Sequence, residues 1–226
     1  MTIRIKHMFA AAALTVASVQ TVQAAIITYT DRATWEAAVS TFQTETFNSV
    51  TTDTIFTDGG IGFADLTLTS TGGISADVRI DLPTFEYNPG TADIDGTARV
   101  NLGGLLDTSI LTIAFDFAVS AIGFDTVNYD SDDDSADAFI GGGATFIGSF
   151  PELRGQTGFI GVIDTSGADL DAISIRRQSG ASDTFVAFDN VSYRQAGVSA
   201  PVPEPTSLAL LGLGLLGLGA RRKMKS

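Results

Sequence analysis

The sequence predicts an all-β protein: a β-sandwich with a jelly-roll-like path and one short N-terminal helix. Three observations predict it. After Ser40, about ten short runs rich in Val, Ile, Phe and Thr follow one another, punctuated by Gly, Asp, Asn and Ser. That is the composition of strands and their turns. Within Ile110 to Phe117, Leu111, Ile113, Phe115 and Phe117 alternate with weaker neighbours, which is the period of a half-buried strand. Ahead of these runs lies a single convincing helix pattern, ending near Ser40. Many short strands in one domain suggest two packed sheets.

In chain order, Ile26 to Tyr29 reads as a strand. Thr30 or Asp31 then caps a helix to about Ser40, since either side chain can accept from a free first-turn N–H. Trp35 is expected to pack this helix onto the sheet. The remaining strands are expected at Thr44–Phe47, Ile61–Ser70, Ile74–Ile80, Thr97–Leu102 and Ile110–Phe117. Five more are expected at Ala121–Tyr129, Ala138–Ile147, Phe159–Ile163, Ala172–Arg177 and Thr184–Arg194. No internal repeat is visible.

Both ends read as addresses rather than fold. At the front, Arg4 and Lys6 form a basic start, Met8 to Val19 an apolar run, and Val22-Gln23-Ala24 a small-residue cleavage site. This predicts a signal peptide over 1–24, cut after Ala24. At the back, Pro203-Glu204-Pro205 precedes an apolar run from Leu208 to Ala220, closed by Arg221, Arg222, Lys223 and Lys225. The uncharged stretch from Thr206 to Ala220 would make a helix of roughly 22 Å. That is short for a bilayer, which takes about 17–25 residues. Gly212, Gly214, Gly217 and Gly219 weaken it further. As a transmembrane helix it would keep its basic end in the cytoplasm and leave the rest of the chain outside. The division is therefore 1–24, a sandwich domain over 25–200, and a tail over 201–226.

Charge narrows the function. The three Lys and the one His all lie in the two ends, so the domain keeps 25 acids against seven Arg, a net charge of −18. Like charges repel, so nucleic acid and anionic surfaces are disfavoured partners and divalent cations favoured ones. Without Cys or His in the domain, Ser-His-Asp and Cys-His catalysis and His-bound zinc are excluded.

Two places invite a cation. Asp130-x-Asp132-x-Asp134 supplies the first three ligand positions of an EF-hand loop. Ser135 then stands where Gly is needed, and Gly141 where the closing Glu should be. A weak Ca²⁺ site or a solvated acidic loop both fit. The second place is the last strand. By the period-2 rule Phe185, Ala187, Asp189, Val191 and Tyr193 share a face, and so do Glu45 and Phe47. Asp189 and Glu45 would then both point inward, where two carboxylates need a cation or a proton between them. Ca²⁺ is the simplest partner; the alternative for Asp189 is a hydrogen-bonded residue at a β-bulge.

The tail, with Pro-Glu-Pro, apolar run and Arg-rich end in that order, resembles the PEP-CTERM sorting signal of bacterial exported proteins. The resemblance implies recognition of Pro203, Glu204 and Pro205 by an exosortase-type protease, transient insertion in the inner membrane, and delivery to the envelope, surface or matrix of a Gram-negative bacterium. Phe188-Asp189-Asn190-Val191-Ser192-Tyr193, Glu45-Thr46-Phe47 and the Phe159 to Val162 step resemble strands of PEP-CTERM-associated sandwich domains. Those are similar in outline to carbohydrate-binding jelly rolls, in which an Asp near the end of the last strand often helps hold a structural Ca²⁺. Carried over, this points to Asp189 with Glu45. The resemblance implies a non-enzymatic protein associated with extracellular polysaccharide and biofilm. A carbohydrate-binding module is the alternative, with Tyr87 and Tyr129 as its aromatic candidates. A carboxylate-pair glycosidase is a second alternative, although no motif selects the pair.

Overall fold

A computed structural model describes residues 25–56, 59–72, 77–82, 94, 98–103, 108–129, 135–166, 170, 172–178 and 185–197. The described strands are β1 (Ile26–Tyr29), β2 (Gln43–Glu45), β3 (Thr54–Ile55), β4 (Gly60–Gly62), β5 (Leu66–Thr71), β6 (Asp77–Asp81) and β7 (Arg99–Gly103). They continue with β8 (Ile110–Phe115), β9 (Val119–Asn128), β10 (Ala136–Ile140), β11 (Thr145–Ser149), β12 (Thr157–Asp164), β13 (Ala172–Arg177) and β14 (Phe185–Gln195). One sheet runs β1-β12-β9-β14-β7-β6-β3, with β2 also paired to β14. The other runs β11-β10-β13-β8-β5-β4. Every pairing is antiparallel. From β8 onward the chain crosses between the sheets at every connection except β10 to β11, as a jelly-roll-like sandwich requires.

The expected strands are present, with differences that have local causes. Ile61–Ser70 divides into β4 and β5 because the chain reverses at Phe63, whose N–H bonds Leu66 O at 2.8 Å. Ala138–Ile147 divides into β10 and β11 because Gly141, Gly142 and Gly143 all take positive φ (62°, 65° and 90°), where only glycine is free of a steric cost. β3 is two residues long, too short for any periodicity to show.

The sheets close on one apolar core. Leu66, Leu68, Leu111, Ile113, Ile173 and Ile175 meet Val78, Ile80, Val100, Leu102, Ile122 and Val186, all fully buried. A run of rings threads this layer: Phe63 against Phe47 (5.0 Å), Phe47 against Phe188 (6.1 Å), Phe188 against Phe124 (5.7 Å) and Phe124 against Phe150 (6.2 Å). Tilted and edge contacts at these distances suit the ring quadrupoles.

A smaller cluster sits on the other side of the larger sheet. Helix α1 (Arg32–Val39) starts at Asp31, whose Oδ1 accepts from Thr34 N at 2.8 Å. It lays Trp35 and Val39 against Ala121, Phe159 and Ile163. Trp35 is fully buried, in the core role expected of it. Its floor is glycine: Gly123 of β9 and Gly161 of β12 are cross-strand partners. A Cβ on Gly161 would stand 2.6 Å from Trp35 Cδ1, and one on Gly123 3.1 Å from Trp35 Cε2.

Candidate functional site

β14 is the strand around which the candidate residues gather. It pairs with β9 on one side and with β7 and then β2 on the other. Asp189 opposes Asp125, but Ser192 opposes Gly123. Two residues of β14, Asn190 and Val191, thus face the single Phe124, which is a β-bulge. Asn190 takes φ 52°, a left-handed setting that Asn tolerates better than most residues. The bulge breaks the period-2 register on which the shared face of Asp189 and Tyr193 was expected. Val186 and Phe188 before it, and Val191 and Tyr193 after it, all enter the core between the sheets. Asp189 is turned with Asp125 to the face beneath α1.

That face carries a polar network. Arg32 Nε donates to Asp125 Oδ1 at 2.8 Å, Nη2 to Asn190 O at 2.9 Å and Nη1 to Ser192 Oγ at 3.0 Å. Asn190 Nδ2 donates to Asp125 Oδ2 at 3.0 Å, and Asn190 N to Asp189 Oδ1 at 2.6 Å. Ser192 Oγ meets Thr44 Oγ1 at 2.9 Å. A guanidinium from α1 therefore compensates the carboxylate opposite Asp189, and it ties the helix to the bulge. Asp189 itself is fully buried.

Glu45 lies on the opposite face. It is paired with Val191, and its Oε1 accepts from Phe47 N at 2.7 Å. Phe47 has φ 57°, a setting that costs a bulky residue free energy. The Glu45 carboxylate braces that turn. The expectation that Glu45 and Asp189 share an inward face is therefore corrected: the bulge places the sheet between them.

Near Glu45, Tyr193 Oη donates to Asp65 Oδ2 at 2.7 Å. Burial, and then the hydrogen bond to Asp65, pushes the phenol far above its usual value. The stabilisation that follows is full below the ordinary phenol pKa of about 10. It is lost as pH rises from there toward the folded value, because the unfolded chain gives up the proton first. Tyr193→Phe should accordingly flatten the loss of thermal stability above pH 10, measured by melting at successive pH.

At the other end of the sheet, β6 and β7 bury charge. Arg79 Nε lies 2.6 Å from Asp81 Oδ1, and Asn101 Nδ2 donates to Asp81 Oδ2 at 2.7 Å. Arg99 stacks over the Tyr129 ring at 5.1 Å. Tyr129 is only 6% exposed, so it is not the open sugar platform that the sequence suggested.

One open pocket lies where β14 ends. It is lined by Thr41, Phe42 and Gln43 after α1, Phe117 at the corner between β8 and β9, and Tyr193, Arg194 and Gln195. Phe42 is backed by Trp35 (5.5 Å) and Phe117 by Tyr193 (5.9 Å). Arg194 is pinned by Nε to Ser120 Oγ at 3.1 Å and by Nη1 to Val39 O at 3.4 Å. The sequence reading missed this pocket because it sought only Trp and Tyr as platforms.

Several expected residues lie outside the described ones: Ala24, Tyr87, the acidic positions Asp130, Asp132 and Asp134, and the tail with Pro203, Glu204 and Pro205. Asp137, which follows these acidic positions, is a β10 residue whose Oδ1 accepts from Ser149 Oγ at 2.6 Å. Among the described residues, no helix is long and apolar enough to cross a membrane, and no group of three or more His, Cys, Asp or Glu could hold a metal ion.

Residues 201–223 match the PEP-CTERM protein-sorting motif. No curated protein matches the chain. Among solved structures, the K1 cleaved adhesin domain of Lys-gingipain from Porphyromonas gingivalis is similar with a TM-score of 0.45 and 13% identity, over 70% of this chain and 99% of that one. The K3 cleaved adhesin domain of the same protein scores 0.40 at 13% identity, over 67% of this chain and 95% of that one. The catalytic unit of a thermostable GH87 alpha-1,3-glucanase from Streptomyces thermodiastaticus scores 0.32 at 16% identity, over 61% of this chain and 28% of that one.

Proposed function

We propose that this chain, which ends in a PEP-CTERM sorting motif, leaves a non-enzymatic β-sandwich at the cell surface or in the extracellular matrix, in association with polysaccharide. The observation that carries the proposal is the motif itself at residues 201–223. It implies an exported protein processed by an exosortase-type protease. Among the described residues, four carboxylates are taken up by structural contacts, which favours a binding role over a catalytic one. Asp65 is bonded by Tyr193, Asp81 by Arg79 and Asn101, Asp125 by Arg32 and Asn190, and Glu45 by its own turn. Each of these carboxylates holds the fold.

Two measurements test the proposal. Intact mass of the protein recovered from an exosortase-bearing bacterium should begin at Ala25 and lack the basic tail. A mature species that still carries Arg221 to Lys225 would sink the sorting reading. A glycan array probed with that mature protein should show binding, and a blank array would remove the polysaccharide association while leaving the sorting intact.

A further inference from the structure

We propose that the pocket at the end of β14 is a glycan subsite that takes one uncharged pyranose ring between Phe42 and Phe117. The inference rests on the polysaccharide reading above and supplies its site.

Four observations carry it. The first is the wall chemistry. A pyranose offers an apolar C–H face and a rim of hydroxyls, and it is held by an aromatic face together with polar groups that donate and accept. Phe42 and Phe117 supply the aromatic rings. Gln43 and Gln195, both exposed at the mouth, supply amides that do both.

The second is rigidity. Phe42 rests on the buried Trp35 and Phe117 on the buried Tyr193. A site whose walls are already ordered loses little side-chain entropy on binding.

The third is Arg194. Its guanidinium is fixed by Ser120 and Val39 through two of its three nitrogens. No described residue takes Nη2, so a fixed donor lines the pocket.

The fourth is charge. None of the seven lining residues is acidic, in a domain with 25 acids. A lining without carboxylates has nothing to hold a divalent cation or an amine. The domain's net charge of −18 opposes an acidic polysaccharide over the whole surface, which leaves the neutral ring.

The single Trp provides a reporter. Trp35 supports Phe42 from behind, and its Nε1–H donates to Val162 O at 3.3 Å, so one indole N–H signal in an ¹⁵N spectrum watches the pocket. Two probe sets are used with the full chain: neutral oligosaccharides of glucose, galactose and mannose, and oligouronates. At least one neutral probe should bind and shift the indole signal. Gln43→Ala with Gln195→Ala should weaken that binding at least tenfold at an unchanged melting temperature, because both side chains are exposed. Phe117→Leu should weaken it as well, with melting followed separately.

Binding of oligouronates alone would overturn the neutral-ring assignment. Binding of a neutral probe that ignores all three substitutions and leaves the indole signal still would place the glycan elsewhere; the pocket proposal would fall and the polysaccharide reading would stand. Binding that appears only once residues 201–226 are removed, with the indole signal moving on truncation alone, would make the chain's own tail the occupant. No binding of any probe by the folded chain would remove both readings.

Discussion

Trp35→Ala is expected to cost about 3–5 kcal/mol, the usual loss for a large buried aromatic truncated to alanine. The indole is fully buried between α1 and the larger sheet, and nothing else in α1 approaches its size. The same contact can be attacked from below. Gly161→Ala puts a methyl group 2.6 Å from both Trp35 Cδ1 and Phe159 Cε1, closer than carbon atoms pack. Overfilling of this kind costs about 1–3 kcal/mol. Gly62→Ala is the control: it is a strand glycine with only Thr67 Oγ1 near its Cβ position, at 3.9 Å. Urea unfolding of the three variants should rank Trp35→Ala lowest and Gly62→Ala near wild type. If Gly161→Ala matches Gly62→Ala, the indole does not lie flat on the glycine pair.

Asp81→Ala should be of similar size, about 3–5 kcal/mol, because it removes one partner of a buried ion pair. Asp81 is fully buried and Arg79 8% exposed, so little water is at hand to replace the lost carboxylate. The pH dependence adds a second signature. Burial raises the Asp81 pKa, against the hydrogen bond from Asn101 and the charges of Arg79 and Arg99. The folded chain therefore holds this proton more tightly than the unfolded chain does. The linked contribution is full below the unfolded pKa of about 3.9 and is lost as pH rises through the folded value. Compared with Asp81→Asn, which has no proton to exchange, wild type should gain relative stability as pH falls from 6 toward 4. Thermal melts of the pair across that range measure it; a gap that widens against wild type on acidification would contradict the assignment.

The strands were legible in the sequence because a core between two sheets imposes a period of two, and Val, Ile and Phe mark it. The helix was legible from Asp31 and the absence of any competing strand pattern between Asp31 and Ser40. What stayed hidden depended on insertion and pairing. The face of Asp189 turns on one extra residue in β14, and counting by twos assumes that there is none. Asn190 was the available signal, an αL-tolerant residue in the middle of the strand. Arg32 as the partner of Asp125 joins positions 93 apart in the chain, a pairing that no local pattern announces. β3 hid for a different reason, since two residues have no periodicity. The pocket escaped because its faces are phenylalanines, which in a sequence read as core.

The central place of β14 has a mechanical consequence. This eleven-residue strand is the last described one, two residues short of Gly197, and a pull on the chain that follows would reach the described sheet through it. Because β14 is laced to β9 along one side and to β7 and β2 along the other, tension along its axis loads both ladders in shear, with many hydrogen bonds sharing the force rather than opening one by one. β1, the strand that signal cleavage would leave at the opposite terminus, is held by β12 alone over four residue pairs. A domain pulled through its C-terminal end would thus bear load on a strand laced on both sides and keep β1, held on one side, out of the line of force.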